Sequence, residues 1–280
     1  MRHHPVTQRL IWREQTKCFS KQQQILCNIV FQYSDNDNID LIVLPESSFT
    51  QGSYKNVKDA LQYAQEPEKS IYFEWAQKTA LRLKSIVVYG YPEQEPTKNI
   101  VYNSMGVVSE KGVLLKNYRK HYLYYKDWTY CTPGPGFDYL DTYFWRINRT
   151  IRCGLAICMD IWFVDDEIYE QMIFANFQKE HKAQLIIGIA SWPDYEEYKD
   201  DDVKHEVQIS YWLNRMTPLS RDKDFQDSRY FIWSDKCKSN QQKTLRYVGC
   251  SGVFQLKPSI SHLQTLTTSE ESVLEQQILI

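Results

Sequence analysis

Short apolar runs, most of them ended by Pro, Gly or a charged residue, recur along the chain. The run IDLIVL at 39–44 stops at Pro45, and a continuous β-branched run of this length is typical of a strand buried on both faces. Turn signals such as SDNDN at 34–38 and SEKG at 109–112 separate the runs. The same reasoning predicts further strands at 85–92, 102–108, 112–115, 151–158, 184–190, 230–234, 246–256 and 275–280, with a polar linker before the last.

Amphipathic stretches with helical spacing lie between several of these runs. Strands alternate with helices in the middle of the chain and form hairpins elsewhere, which favours an α/β or α+β fold with layered sheets. The predicted helices are 22–31, 69–84 (Tyr72, Ala76, Ala80 and Leu83 inward), 165–180 (Tyr169, Met172, Ile173 and Phe177 inward) and 203–216.

Composition narrows the functional classes. A net charge of −2 gives no indication of a surface that binds nucleic acid or an anionic membrane. No apolar run approaches the ~20 residues that span a bilayer. The seven cysteines are an odd number without CxxC or metal-ligand spacing, so we expect no disulfide framework, no metal, and a reducing compartment, the cytoplasm or nucleus.

Two apolar runs end in a chemically useful residue, and a third such residue sits in a basic turn. Glu46 follows LIVLP, Lys120 lies in YRKHYL, and Cys158 closes CGLAIC. A cysteine at a strand-to-helix turn is placed as a nucleophile, with the N–H of Met159 as an oxyanion donor. Glu46 would serve as base, and Lys120 would bind the oxyanion and hold Cys158 as thiolate.

Taken singly, each residue has an ordinary structural explanation. These are a capping carboxylate for Glu46, a solvated lysine for Lys120 and a small buried thiol for Cys158. Arg119 beside the lysine suits a structural salt bridge better than catalysis. Together, the three side chains could hydrolyse an amide through a covalent thioester.

Seven stretches of the chain resemble the carbon-nitrogen hydrolase (nitrilase) family, and within it the fungal protein N-terminal amidases. The resemblance covers about Ile39 to the C-terminus, which predicts a hydrolase domain at 35–280 behind a divergent segment, 1–34. It implies a four-layer α-β-β-α sandwich, a Glu46–Lys120–Cys158 triad, no cofactor, and a homodimer. The stretches are LPESSFTQG, VVYGYPE, YNSMGVV, KNYRKHYLYY, GLAICMDI, IASW and YWLNRMTPL.

The implied reaction removes the side-chain amide of an N-terminal Asn or Gln from a polypeptide, which feeds N-end-rule degradation. Its partners would be peptide or protein N-termini, whose free α-ammonium calls for a carboxylate or an aromatic face. The candidates are Asp127 as charge partner, Trp192 as pocket wall, and Tyr124, Tyr125 and Ser191. Two alternatives stay open: a small-molecule ω-amidase of the same family, and a non-catalytic interaction module.

Two departures from the family pattern bear on the site. The family usually keeps a second glutamate after its lysine, to position that lysine, and this chain has Asp127 there, one methylene shorter. The family's Arg-Cys-Gly stretch near the late strand is replaced by Asp235, Lys236, Cys237 and Lys238. We therefore expect an altered pocket rim.

Overall fold

The computed structural model describes residues 32–50, 52–162, 170–195, 197–237 and 246–280. Its strands are β1 Leu41–Val43, β2 Ile86–Gln94, β3 Val101–Val108, β4 Leu114–Arg119, β5 Asp138–Phe144, β6 Arg149–Ile157, β7 Leu185–Ala190, β8 Arg229–Asp235, β9 Gly252–Lys257 and β10 Ser261–Thr265. Its α-helices are α1 Val57–Ala60, α2 Ile71–Leu83, α3 Ile173–Glu180, α4 Asp201–Arg215 and α5 Thr217–Ser220.

The strands form two sheets. Sheet A has the order β1-β2-β3-β4, and sheet B has the order β10-β9-β8-β7-β6-β5. In sheet B, β6, β7 and β8 run parallel, so their carboxyl ends meet at one edge. Helix α2 packs on sheet A, and residues of α3 and α4 belong to the core cluster of sheet B. This is the predicted α-β-β-α sandwich.

Strand β2 shows how side-chain alternation builds the layers. Val87 and Tyr89 pack with α2, whereas Ile86 and Val88 join the cluster of sheet B. Successive side chains of a strand point to opposite faces, so a strand that is apolar at every position can serve two layers. The predicted inward face of α2 is confirmed, because Tyr72, Ala76, Ala80 and Leu83 are all buried.

Several strand predictions need correction, and the strand predicted at 246–256 begins only at Gly252, as β9. Strand β1 is shorter than 39–44 and its residues are only half-buried, because it lies at the edge of sheet A in the described chain. Strand β5 was not predicted. The predicted polar linker contains β10, which completes the edge of sheet B, where one face needs no apolar residues. No strand forms at 275–280.

The prediction of one helix over 165–180 is wrong in its start and its phase. Helix α3 begins at Ile173 after Met172, whose φ of 44° is left-handed and stops a helix from running through it. The buried positions are therefore Phe174, Ala175 and Gln178 rather than the expected set. Residues 163–169, the helix predicted at 22–31 and most of segment 1–34 lie outside the described residues.

A search of the described helices for a long apolar stretch capable of crossing a membrane finds none.

Candidate active site

The ends of three strands bring the predicted triad together. Glu46 lies in the turn after β1, Lys120 directly follows β4, and Cys158 directly follows β6. All three line one partly open pocket. The other lining residues in the described chain are Gly52, Ser53, Tyr124, Lys126, Asp127, Ser191, Pro193 and Tyr247.

The Lys120 ammonium lies between two carboxylates. Its Nζ donates to Glu46 Oε1 at 2.9 Å and to Asp127 Oδ2 at 2.7 Å. Glu46 Oε1 also accepts from Asn103 Nδ2 at 2.6 Å. Glu46, Lys120 and Asp127 are all buried. The neighbouring Arg119 forms ion pairs with Glu93 and Glu95 instead, as its predicted structural role requires.

Asp127, which also lines the pocket, binds the lysine. Its Oδ2 accepts from Lys120 and from the N–H of Tyr124 at 3.1 Å, and its Oδ1 accepts from Tyr130 Oη at 3.0 Å. Both carboxylate oxygens are thus committed within the protein. From its 3₁₀ turn, Asp127–Thr129, the shorter side chain still reaches the lysine, with 2.7 Å between Oδ2 and Nζ.

Electrostatics set the resting protonation of the triad. Burial opposes the charge on Lys120, but Asp127 and Glu46 outweigh it and raise the lysine pKa well above its ordinary value. Burial likewise opposes the charge on Glu46, but Lys120 and the amide of Asn103 lower its pKa. The site at neutral pH therefore contains an ammonium and an ionised Glu46.

The expectation of a resting thiolate is wrong. Burial, and then the charge of Glu46, raise the pKa of the Cys158 thiol well above its ordinary value, and Lys120 offsets this only in part. A buried thiol beside a carboxylate keeps its proton at neutral pH. Cys158 can become a nucleophile only when a base removes that proton. Glu46 is a possible base in the same pocket.

Cys158 occupies a strained turn of the predicted kind. Its φ of 46° lies in the left-handed region, and a 3₁₀ turn over Cys158–Ile161 follows β6 at once. Such a conformation costs a non-glycine residue about 1–2 kcal/mol and persists where the surroundings enforce it. Met159 is the second residue of that turn, a position whose N–H has no partner within the turn.

A glycine in β2 allows the Glu46 turn to approach the sheet. A Cβ on Gly90 would lie 2.6 Å from the backbone N of Ser47 and 2.8 Å from Cα of Glu46. The carbonyl of Gly90 accepts from the N–H of Ser48 at 3.1 Å. The backbone of the Glu46 turn is therefore seated directly on a position that only glycine can fill without displacement.

The structure separates the candidate substrate residues into two groups. Tyr124 and Ser191 line the pocket, and the Ser191 hydroxyl donates to the Glu46 carbonyl at 3.2 Å. The ring of Trp192 does not line it; it packs among other tryptophans, 5.4 Å from Trp162 between ring centroids. Tyr125 is 64% exposed beside Tyr124 and also lies off the lining. The prediction of Trp192 as pocket wall is wrong.

Three residues around the pocket were given no role by the sequence. Asn103 binds Glu46, Tyr247 forms part of the wall, and the Lys236 ammonium donates to the carbonyl of Thr50 at 3.2 Å. Asn103 does lie in the matching stretch YNSMGVV, which was the available signal. Tyr247 falls within the strand predicted at 246–256, but β9 begins only at Gly252, and Tyr247 lies before it in an isolated bridge with Pro193.

No group of three or more His, Cys, Asp or Glu side chains in the described parts of the chain could hold a metal ion.

The chain is similar in sequence to two yeast proteins that bear the same name. The chain is 27% identical over 200 residues to the protein N-terminal amidase of Schizosaccharomyces pombe, covering 65% of this chain and 68% of that protein. It is 24% identical over 250 residues to the protein N-terminal amidase of Saccharomyces cerevisiae, covering 84% of this chain but only half of that protein.

A crystal structure of an N-terminal amidase with an Asn-Glu peptide superposes with a TM-score of 0.68 at 17% identity, covering 82% of this chain and 86% of that one. At this identity the superposition establishes the fold. The family model for carbon-nitrogen hydrolases matches residues 12–169, more than half of the chain and a range that includes Glu46, Lys120 and Cys158. The chain therefore belongs to the carbon-nitrogen hydrolase family, whose members act on amide and related carbon-nitrogen bonds.

Proposed function

We propose that the protein removes the side-chain amide of an N-terminal Asn or Gln from polypeptides, with Cys158 as nucleophile. The observation that carries the proposal is the meeting of Glu46, Lys120 and Cys158 in one pocket, each at the end of a different strand. The two yeast relatives that bear the name protein N-terminal amidase support the substrate class.

The first half of the reaction forms a thioester. Glu46 takes the proton of the Cys158 thiol as the sulfur attacks the carboxamide carbon. The Lys120 ammonium and the N–H of Met159 stabilise the oxyanion. Protonated Glu46 then gives its proton to the nitrogen as the carbon-nitrogen bond breaks, so that ammonia leaves and the acyl group remains on sulfur.

The second half releases the product. Glu46 removes a proton from water, the hydroxide adds to the thioester carbon, and the carbon-sulfur bond breaks. The proton returns to sulfur, which regenerates the Cys158 thiol and leaves a carboxylic acid at the N-terminal side chain. In this scheme Asp127 keeps Lys120 in place throughout, since its two oxygens already bind Lys120, Tyr124 and Tyr130.

The pocket rim favours a peptide substrate over a small-molecule amide, which would suit an enclosed pocket. Tyr124 lines the pocket and its hydroxyl lies 2.7 Å from that of Tyr195, which is 67% exposed. The rim therefore reaches the protein surface, where the rest of a polypeptide could leave the site. We propose this aromatic rim as the place where the chain beyond the first residue lies.

The test is ammonia release from short peptides that begin with Asn or Gln, beside the same peptides N-acetylated. Release from the free-amine peptides, lost in Cys158→Ala, is the expected result. Cys153→Ala is the matched control, because Cys153 is buried in the same strand about 16 Å away and should leave activity intact. Release from small ω-amides alone would contradict the peptide substrate, and release from none of these amides would contradict the activity.

A further inference from the structure

The carboxylate of Asp160 is fully buried and accepts four hydrogen bonds. Its Oδ1 accepts from the N–H of His121 at 3.0 Å and of Tyr122 at 2.9 Å. Its Oδ2 accepts from the N–H of Ile157 and from Tyr118 Oη, both at 2.8 Å. An ionised carboxylate has about four acceptor sites, so this group is saturated by protein donors.

The four donors come from the two segments that carry Lys120 and Cys158. Tyr118 lies two residues before Lys120, and His121 and Tyr122 are the two residues directly after it. Ile157 directly precedes Cys158. In the described residues these two segments belong to different sheets with no strand ladder between them, so ladder hydrogen bonds there do not fix their spacing.

We propose that Asp160 is a positioning residue that holds the Lys120 turn against the Cys158 elbow and so sets the distance between ammonium and sulfur. The proposal rests on the proposed function, in which those two groups act on one carbonyl. In this role the Asp160 carboxylate fixes the spacing of Lys120 and Cys158, and it touches no reacting atom itself.

The local bond within the elbow adds a second effect. The N–H of Ile157 bonds Asp160 across the turn that contains Cys158, and so helps to hold the left-handed φ of 46° at Cys158. Burial raises the pKa of Asp160, whereas the N–H groups of Tyr122 and Ile157 and the hydroxyl of Tyr118 oppose that rise. The ionised form of the Asp160 carboxylate thus depends on hydrogen bonds from the two segments that it joins.

Asparagine cannot replace this pattern. Its side chain has the same shape, but its NH₂ group is a donor and would face at least one backbone N–H. Either the N–H of Ile157 or those of His121 and Tyr122 would lose their acceptor. One segment must then shift, and a shift approaching 1 Å costs about 100-fold in rate. Tyr118→Phe is a milder change, because it removes a single donor and keeps the ring.

The experiment compares Asp160→Asn and Tyr118→Phe with Asp222→Asn. Asp222 is a suitable control because it is also buried, paired with Arg229 at 3.2 Å, at the opposite end of β8 from the site. The measurements are thermal unfolding, kcat and KM on an Asn-starting peptide, and the pH dependence of Cys158 alkylation by iodoacetamide. The alkylation profile needs no substrate, so it tests the positioning even if the proposed function fails.

Asp160→Asn should lower kcat about 100-fold with little change in KM, and should shift the alkylation profile. Tyr118→Phe should show a smaller loss, and Asp222→Asn should lose stability alone. An Asp160→Asn protein with a wild-type alkylation profile would overturn the proposal, whether or not peptides are substrates. A shifted profile with no turnover by the wild-type protein would support the positioning and reject the peptide activity.

Discussion

Replacing Gly90 with alanine tests whether the approach of two backbones places the Glu46 carboxylate, the proposed base. The new Cβ would lie 2.6 Å from the Ser47 nitrogen and 2.8 Å from Cα of Glu46, against an ordinary contact distance of 3.4 Å. Both atoms are backbone, so no rotamer change can relieve the contact. The Glu46 turn must therefore move by about 0.6–0.8 Å.

Two effects follow from that movement. Overpacking of this kind costs about 1–3 kcal/mol of the free energy of unfolding. The same movement would displace Glu46, whose Oε1 now lies 2.9 Å from Lys120 Nζ. It should reduce kcat on the order of 10- to 100-fold, because the proposed base would be misplaced relative to the Cys158 thiol. Thermal unfolding and kcat for an Asn-starting peptide measure the two effects separately.

Gly154→Ala is the matched control. A Cβ there would also be crowded, at 2.5 Å from Oε1 of Gln178, but the nearest atoms end a flexible side chain. This variant should lose some stability and keep its kcat. If Gly90→Ala retained wild-type kcat while losing stability, the placement of Glu46 would not depend on this contact, and the reasoning would be refuted.

Two further predictions concern the charges around the pocket. Glu46→Gln should abolish turnover yet speed alkylation of Cys158 at neutral pH, since it removes a charge that raises the thiol pKa; unchanged or slower alkylation would contradict this. Lys236→Met should move the acid limb of the kcat/KM profile to higher pH, because the Lys236 charge lowers the pKa of Glu46. Burial lowers the pKa of Lys236 itself to about 8, whereas an arginine there stays charged, so Lys236→Arg should leave the acid limb in place. A shift of the acid limb in both variants would count against a charge effect.

The local pattern of the sequence was enough for most of the frame. The strand that ends before Cys158 and the inward face of α2 were predicted correctly, because each depends on residues within a few positions of one another. The same holds for the elbow at Cys158, whose left-handed φ matches the predicted strand-to-helix turn. The triad itself was identified from its place at strand ends and from family resemblance.

The misjudged elements show where local patterns fail. Strand β10 is polar, and an edge strand with one solvated face carries no apolar signal. The predicted buried face of α3 assumed an unbroken helix through Met172. The left-handed backbone at Met172 interrupts the helix there, so a different set of positions is buried. Trp192 was assigned to the pocket because it follows β7, but side chains alternate, so its neighbours Ser191 and Pro193 face the pocket instead.

By itself the sequence determined which residues end the strands and which chemistry they carry. Only the tertiary structure decided what those residues do to one another, because Glu46 and Lys120 are separated by 74 positions and belong to contacts that no local pattern encodes. Their packing set Asp127 against the lysine, and it buried Cys158 beside Glu46, which raises the pKa of the Cys158 thiol. Charge states in a buried site depend on the distances and solvent exclusion that folding creates, and these exist only in the assembled sandwich.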